Sequence, residues 1–298
     1  MYLPEGIIPP VPTFVTEDFK LDTESMKTAI DHLIGEGVNG LFFLGTGGEF
    51  THMSKKERKE VGEFAVQYVN GRVPVLIGTG TPDTRQTMEL NEHAYKTGAD
   101  GVVVINPYYF SFSEEHLLNH YNTVLDHTEL PVLLYNFPGL TGQEIPAGLV
   151  KELVGKHENL VGIKNTVDSL SNTKELLYAT EEFIHRFSVL AGFDDYILAG
   201  LHIGCRGAIT GTANIAPALS VLLYEAYISK NYEKAIKNQQ KISKLCRLYA
   251  LDTPFVGIIK EAMKQTGMAV SSQTLPPLIK ADEKQIERIK IILQECEL

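Results

Sequence analysis

Residues 98–107, Gly98-Ala99-Asp100-Gly101-Val102-Val103-Val104-Ile105-Asn106-Pro107, end one helical stretch and begin one strand. The first glycine suits the left-handed residue that closes a helix, and the second suits the tight turn into the strand. The run that follows is apolar throughout, as in a parallel strand covered on both faces. The same junction recurs as Gly37-Val38-Asn39-Gly40 and Gly204-Cys205-Arg206-Gly207. Further short apolar runs begin near Ile7, Gly40, Val73, Pro131, Leu160, Arg186 and Gly207. Together with Gly101 these starts lie 21 to 33 residues apart. That is room for one strand, one helix and two loops per unit, so parallel strands are the natural reading.

Eight such units closing on themselves give an α/β fold, the (β/α)8 TIM barrel, with its chemistry at the C-terminal ends of the strands. An open doubly wound sheet would alternate in the same way. It usually carries a Gly-rich phosphate loop after its first strand, whereas the first run here leads into Pro12-Thr13-Phe14. From about Ala216 only helical patterns remain. The first of these is expected to close the barrel, and residues 231–298 to form an appended helical bundle. Thr253-Pro254 reads as an N-cap followed by proline at the first helical position. No Gly/Ser/Pro-rich linker interrupts the chain, which predicts a single domain over 1–298.

Composition excludes several classes. The chain has 298 residues, 44% hydrophobic and 21% charged, and its 27 Lys+Arg against 37 Asp+Glu leave a net charge of −10. So acidic a chain, without a basic run, is poorly suited to nucleic acid or an anionic membrane surface. The opening MYLPEGIIPP lacks the basic-then-apolar pattern of a signal peptide. No apolar run approaches the roughly 20 residues of a spanning helix. Cys205, Cys246 and Cys296 are far apart and lack CxxC spacing, so neither a disulfide framework nor a zinc site is indicated. The expectation is a cytoplasmic protein.

At the strand ends, Val161-Gly162-Ile163-Lys164-Asn165-Thr166 stands out. Alternation puts Val161 and Ile163 on one face and Gly162 and Lys164 on the other. If the apolar pair packs on helices, Lys164 points into the barrel. An ammonium there is costly unless paired or deprotonated, and a deprotonated lysine is a Schiff-base nucleophile. The plainer alternative is a strand-end lysine reaching solvent or a carboxylate. Tyr135 lies one unit back, so it should stand beside Lys164 at similar height. There its phenol would shuttle protons, or simply fill the core.

Gly45-Thr46-Gly47-Gly48-Glu49-Phe50 follows the second strand. It matches neither GxGxxG nor a P-loop. Its small residues would let backbone amides and the Thr46 hydroxyl approach a small carboxylate, unless the turn is merely tight. Strand 2 is four strands from strand 6, so Thr46 and Lys164 would face each other across the mouth. Asp194-Asp195 could bind substrate hydroxyls or cap the next helix. Tyr108-Tyr109 suits an aromatic wall or a second relay element. His116 and His120 have metal-like spacing, but no third ligand is near, and a solvated helix face is the expectation. No metal is predicted.

In combination, GTGGE (45–49), NPYY (106–109), YNFPGLTG (135–142), GIKNT (162–166) and GAITGTAN (207–214) resemble the dihydrodipicolinate synthase / N-acetylneuraminate lyase superfamily of class I pyruvate aldolases. The resemblance runs from Ile7 to the final helices. It implies that Lys164 is the Schiff-base lysine and Tyr135 the proton shuttle. Thr46 and Tyr109 would complete the relay, with Tyr109 reaching into a neighbouring subunit's site. Gly47 and the Ile209 backbone would sit against the pyruvoyl carboxylate. Dihydrodipicolinate synthases have two consecutive hydroxyl residues in the first motif, where this chain has Thr46-Gly47. They also carry an arginine in the fifth-strand loop for the acceptor carboxylate, where this chain has Leu140. That charge-assisted contact would be lost. The combination with LDTPF (251–255) is more similar to the bacterial 2-keto-3-deoxy-gluconate aldolase branch.

The expected activity is therefore cleavage of a 2-keto-3-deoxy sugar acid to pyruvate and an aldehyde. No cofactor is expected beyond the covalent lysine Schiff base with substrate. Alternatives are dihydrodipicolinate synthase or N-acetylneuraminate lyase activity, a deoxy-ketoaldarate dehydratase, or a keto-acid sensor without turnover. The expected partners are the small-molecule keto acid and aldehyde, and the resemblance implies a homotetramer built as a dimer of dimers.

Overall fold

The structure, a computed structural model, describes residues 2–298. Its eight strands are β1 (Gly6–Ile7), β2 (Leu41–Phe43), β3 (Val75–Gly78), β4 (Gly101–Ile105), β5 (Val132–Asn136), β6 (Leu160–Asn165), β7 (Ser188–Ala191) and β8 (Gly207–Ala208). They pair in parallel in the order β1-β8-β7-β6-β5-β4-β3-β2. The sheet curls until its ends meet: the Val11 amide donates to the Phe42 carbonyl at 2.8 Å, and the Phe42 amide to the Pro9 carbonyl at 3.0 Å. Every strand residue is buried, which is why the runs are apolar rather than alternating.

Between the strands run α1 (Thr23–Gly35), α2 (Lys55–Val69), α3 (Thr84–Thr97), α4 (Glu114–Asp126), α5 (Pro138–Thr141), α6 (Ala147–Lys156), α7 (Leu170–Ala179) and α8 (Ile197–Ile203), and α9 (Pro217–Ile228) follows β8. Side-chain caps start most of the longer ones, Ser54 and Glu57 forming a reciprocal capping box on α2. The repeated junction has a physical reason. Gly37, Gly98 and Gly204 lie at φ 83°, 87° and 121°, conformations that penalise a Cβ. Two residues on, the Asn39, Asp100 and Arg206 amides each donate to the neighbouring strand, at the Ile7, Val75 and Val189 carbonyls. Asn39 and Asp100 return the bond through their side chains, accepting from the Ile7 and Val75 amides at 2.8 Å. The junction thus locks each new strand to the one before it.

Three helices follow: α10 (Tyr232–Leu245), α11 (Val256–Gln265) and α12 (Glu283–Glu295). Helix α10 packs on α9, and α12 on both α10 and α11. Thr253-Pro254 does not begin α11. That helix opens at Val256 with Phe255 at its N-cap position and no side-chain cap. Phe255 packs edge-on against Tyr249, ring centroids 5.0 Å apart, so the segment before the helix is given to covering the barrel mouth. The expected solvated face of α4 also needs correction. His116 is exposed beside Ser113, but His120 is buried, with Nδ1 2.8 Å from the Thr84 hydroxyl. Among the described residues, no helix is long and apolar enough to cross a membrane.

Candidate active site

Lys164 and Tyr135 occupy paired positions at the C-terminal ends of β6 and β5. Lys164 is 4% exposed, and its Nζ lies 4.2 Å from the centroid of the Tyr135 ring and 5.4 Å from that of Phe42. A cation so placed is attracted by the ring quadrupoles, and a free amine there is shielded from water. Phe42 stands edge-on to Tyr135 at 6.4 Å. The Tyr135 hydroxyl reaches across the barrel to Thr46 Oγ1 at 3.1 Å.

A cavity of about 190 Å³ opens above this pair, lined by Thr46, Gly47, Tyr135, Lys164, Asp194 and Ile209 among others. Strand β2 delivers Thr46 through a tight turn over Thr46–Gly48, ended by Glu49 in the left-handed region at φ 58°. The Gly48 carbonyl of that turn accepts from the Thr13 hydroxyl at 2.8 Å. One residue beyond Lys164 and Tyr135, a chain of side-chain amides joins the two strand ends to α7. Asn136 Nδ2 donates to Asn165 Oδ1 at 2.9 Å, and Asn165 Nδ2 to Asn172 Oδ1 at 2.9 Å. These bonds fix the height of the two strand ends relative to each other.

The structure therefore brings together Lys164, Tyr135, Thr46, Gly47 and Ile209. Asp194 lines the cavity too, but its carboxylate is already engaged. Oδ1 accepts from the Thr212 amide at 2.8 Å and from the Thr212 hydroxyl, and Oδ2 accepts from the Tyr249 hydroxyl at 2.9 Å. Burial pushes this carboxyl above the ordinary aspartate value, and the bonds from Thr212 and Tyr249 pull it back. Asp195 is exposed and does not line the cavity. Tyr109 also stands away from it, 89% exposed, with a backbone φ of 87° and its ring edge-on to Phe110. Tyr108 is half-buried and lines a neighbouring cavity with Thr46 and Leu140. Among the described residues, no group of three or more His, Cys, Asp or Glu side chains could hold a metal ion.

Several residues around the site carry no signal in the sequence. Phe42 looks like any apolar strand residue. Tyr249, Phe255, Val256 and Ile259 come from the helices after the barrel, and nothing local announces a contact so distant along the chain.

The chain matches the dihydrodipicolinate synthetase family over residues 3–296 and belongs to it. It is an enzyme of the carbon–carbon lyase class. It is 45% identical to the Escherichia coli K12 protein "Putative 2-dehydro-3-deoxy-D-gluconate aldolase YagE", covering 98% of this chain and 97% of that one. It is 42% identical to "Probable 2-dehydro-3-deoxy-D-pentonate aldolase YjhH" of the same organism, covering 97% and 96%. The crystal structure of YagE in complex with pyruvate superposes with a TM-score of 0.97 at 44% identity, covering 99% of both chains. Dihydrodipicolinate synthase from Thermotoga maritima gives 0.94 at 30% identity, again over 99% of both.

Proposed function

We propose that this enzyme is a class I aldolase cleaving a 2-keto-3-deoxy sugar acid, of the 2-keto-3-deoxy-gluconate type, to pyruvate and an aldehyde. The observation that carries the reading is the buried Lys164 amine against Tyr135, whose hydroxyl is held by Thr46. Lys164 attacks the C2 carbonyl, and loss of water gives the iminium. Tyr135 takes the C4 hydroxyl proton as its own passes to Thr46 Oγ1 and the Thr46 proton moves on along the relay to water. The C3–C4 bond breaks, its electrons pass to the iminium, and the aldehyde leaves. The resulting enamine takes a proton at C3 from Tyr135, which recovers one from water through Thr46, and water releases pyruvate from the lysine. The covalent nitrogen supplies the electron sink, so the step draws on no other cofactor.

Electrostatics supports the choice of substrate. Among the described residues lining the cavity, Lys164 is the one Lys or Arg. A second carboxylate on the substrate would enter without a cationic partner, at a cost in desolvation. That favours a neutral hydroxylated tail over aspartate semialdehyde or a ketoaldarate. Leu140, 58% exposed on α5, offers no charge to replace the missing arginine. The same reading places the protein in the cytoplasm as a homotetramer, a dimer of dimers in which Tyr109 of one copy completes the relay of the next. YagE, whose name carries the gluconate-type substrate and whose structure holds pyruvate, supports the substrate assignment.

The test is a substrate panel combined with borohydride trapping. Pyruvate and borohydride should add one reduced adduct to wild type, at Lys164, and none to Lys164→Ala. Cleavage of 2-keto-3-deoxy-gluconate, read as pyruvate release, should exceed N-acetylneuraminate cleavage and condensation with aspartate semialdehyde. Dominant condensation would overturn the substrate assignment, and an active Lys164→Ala would overturn the mechanism.

A further inference from the structure

Outside the reacting groups, one pair of charges is buried as deeply as any side chain in the protein. Glu49 and Lys260 form an ion pair with both side chains fully excluded from solvent. Such a pair is costly to assemble, and hydrophobic replacements are often no less stable. Stability alone is therefore a weak account of it. Its position suggests another. Glu49 ends the turn that carries Thr46 and Gly47, and its amide closes that turn on the Thr46 carbonyl at 3.1 Å. Its second carboxylate oxygen accepts from the Leu275 amide at 2.6 Å. Lys260 lies on α11, the helix that presents Val256 and Ile259 to the cavity, and donates to the Gln273 carbonyl at 2.7 Å. Burial pushes the Lys260 ammonium below the ordinary lysine value, and the Glu49 charge opposes that shift.

We infer that Glu49 and Lys260 are positioning residues that hold the Thr46–Gly47 turn in register with Tyr135 by anchoring it to α11 and the 273–275 segment. Neither touches the reacting atoms. They act through the backbone of the turn, because a left-handed residue pinned at its side chain cannot rotate without carrying Thr46 with it. A hydroxyl displaced by about 1 Å can lower a proton-transfer rate by up to about a hundredfold. The inference rests on the proposed Schiff-base reading, in which Thr46 and Tyr135 move the proton at C3.

Two measurements separate the lysine chemistry from the proton relay, and neither needs the sugar acid. Borohydride trapping with pyruvate reports Lys164. Exchange of the pyruvate methyl protons for deuterium in D2O, followed by NMR, reports proton removal from and return to C3. In Glu49→Gln/Lys260→Met no buried charge is left unpaired, and the carboxamide introduced in place of the carboxylate still has an oxygen for the Leu275 amide. We expect a Tm within about 5 °C of wild type, stoichiometric trapping, and exchange slowed about 10- to 100-fold. Glu49→Asp, which keeps the charge but shortens the reach, should show the same split and decides the matter if the double variant fails to fold. Wild-type exchange in a folded variant would overturn the inference, as would trapping and exchange falling by the same factor. If wild type itself neither traps nor exchanges pyruvate, the reading of the site has failed, and this inference falls with it.

Discussion

Thr46 and Tyr135 stand 89 residues apart in the chain, yet their hydroxyls lie 3.1 Å apart across the barrel mouth. The contact joins the ends of β2 and β5, which no local interaction brings together. In the proposed mechanism it gives Tyr135 a second oxygen with which to exchange a proton, and Lys164 Nζ lies over the face of the same ring.

Removing either hydroxyl should slow turnover without preventing Schiff-base formation. Tyr135→Phe keeps the ring that faces Lys164 but loses the shuttle, so kcat should fall about 100-fold or more. Thr46→Val, nearly the same shape, should cost about 10- to 100-fold. In both variants borohydride should still trap pyruvate. Steady-state cleavage rates and intact-protein mass check the two halves, and Tyr135→Phe at the wild-type rate would remove the phenol from the mechanism.

Gly192 leaves β7 directly against the Lys164 strand. A Cβ at this position would lie 2.0 Å from Thr166 Oγ1 and 2.8 Å from the Asn165 carbonyl oxygen. The Thr166 hydroxyl can rotate aside, but the backbone oxygen cannot without moving β6. Gly192→Ala should therefore destabilise the fold by about 1–3 kcal/mol, seen as a lowered Tm, and reduce kcat together with it.

His120 should make the fold acid-sensitive. Burial pushes its imidazole from the ordinary 6.5 down to about 4. Between those values the unfolded chain binds a proton that the folded chain refuses, so stability rises with pH across the window. The facing Thr84 hydroxyl is neutral and does not offset the charge. Wild type should lose Tm steadily as pH falls from 6.5 to 4, and His120→Gln, which can keep the bond to Thr84, should lose less. Parallel melting curves for the two proteins over that range would contradict this assignment.

Tyr109 bears on assembly. A tyrosine 89% exposed at φ 87° leaves a large ring in water on a strained backbone, and in the proposed assembly a second copy covers it. Tyr109→Ser should lower kcat at least about tenfold in a protein that still traps pyruvate. Light scattering on dilute wild-type enzyme, with activity followed in parallel, provides the other half of the test. A fully active monomer would defeat the shared relay, whereas an active dimer would remove only the tetramer.

The parts legible in the sequence have in common that local chemistry dictates them. All eight strand starts can be read because a strand buried on both faces must be apolar, and three of the junctions also need a glycine in the left-handed region. Lys164 and Tyr135 can be read because they are polar groups one unit apart at the ends of such runs. The rest depends on contacts that pattern does not encode. Lys260 has the look of a solvent-facing charge on an amphipathic helix, and only its approach to Glu49 makes it interior. Asp194 suggests a ligand for hydroxyl groups until Thr212 and Tyr249 are found to occupy it. Helix spacing alone assigns His120 to water, and its bond to Thr84 shows why it is not there.

The cavity walls have a consequence for synthesis. Tyr249, Phe255, Val256 and Ile259 follow the last strand of the barrel. A nascent chain that has released only its eight strands already owns the lysine and the phenol but has no roof over them. Until the following helices leave the ribosome and fold back, the amine faces bulk water and the Thr46 turn lacks its anchor at Lys260. Catalytic competence should thus arrive late, in a step distinct from barrel formation.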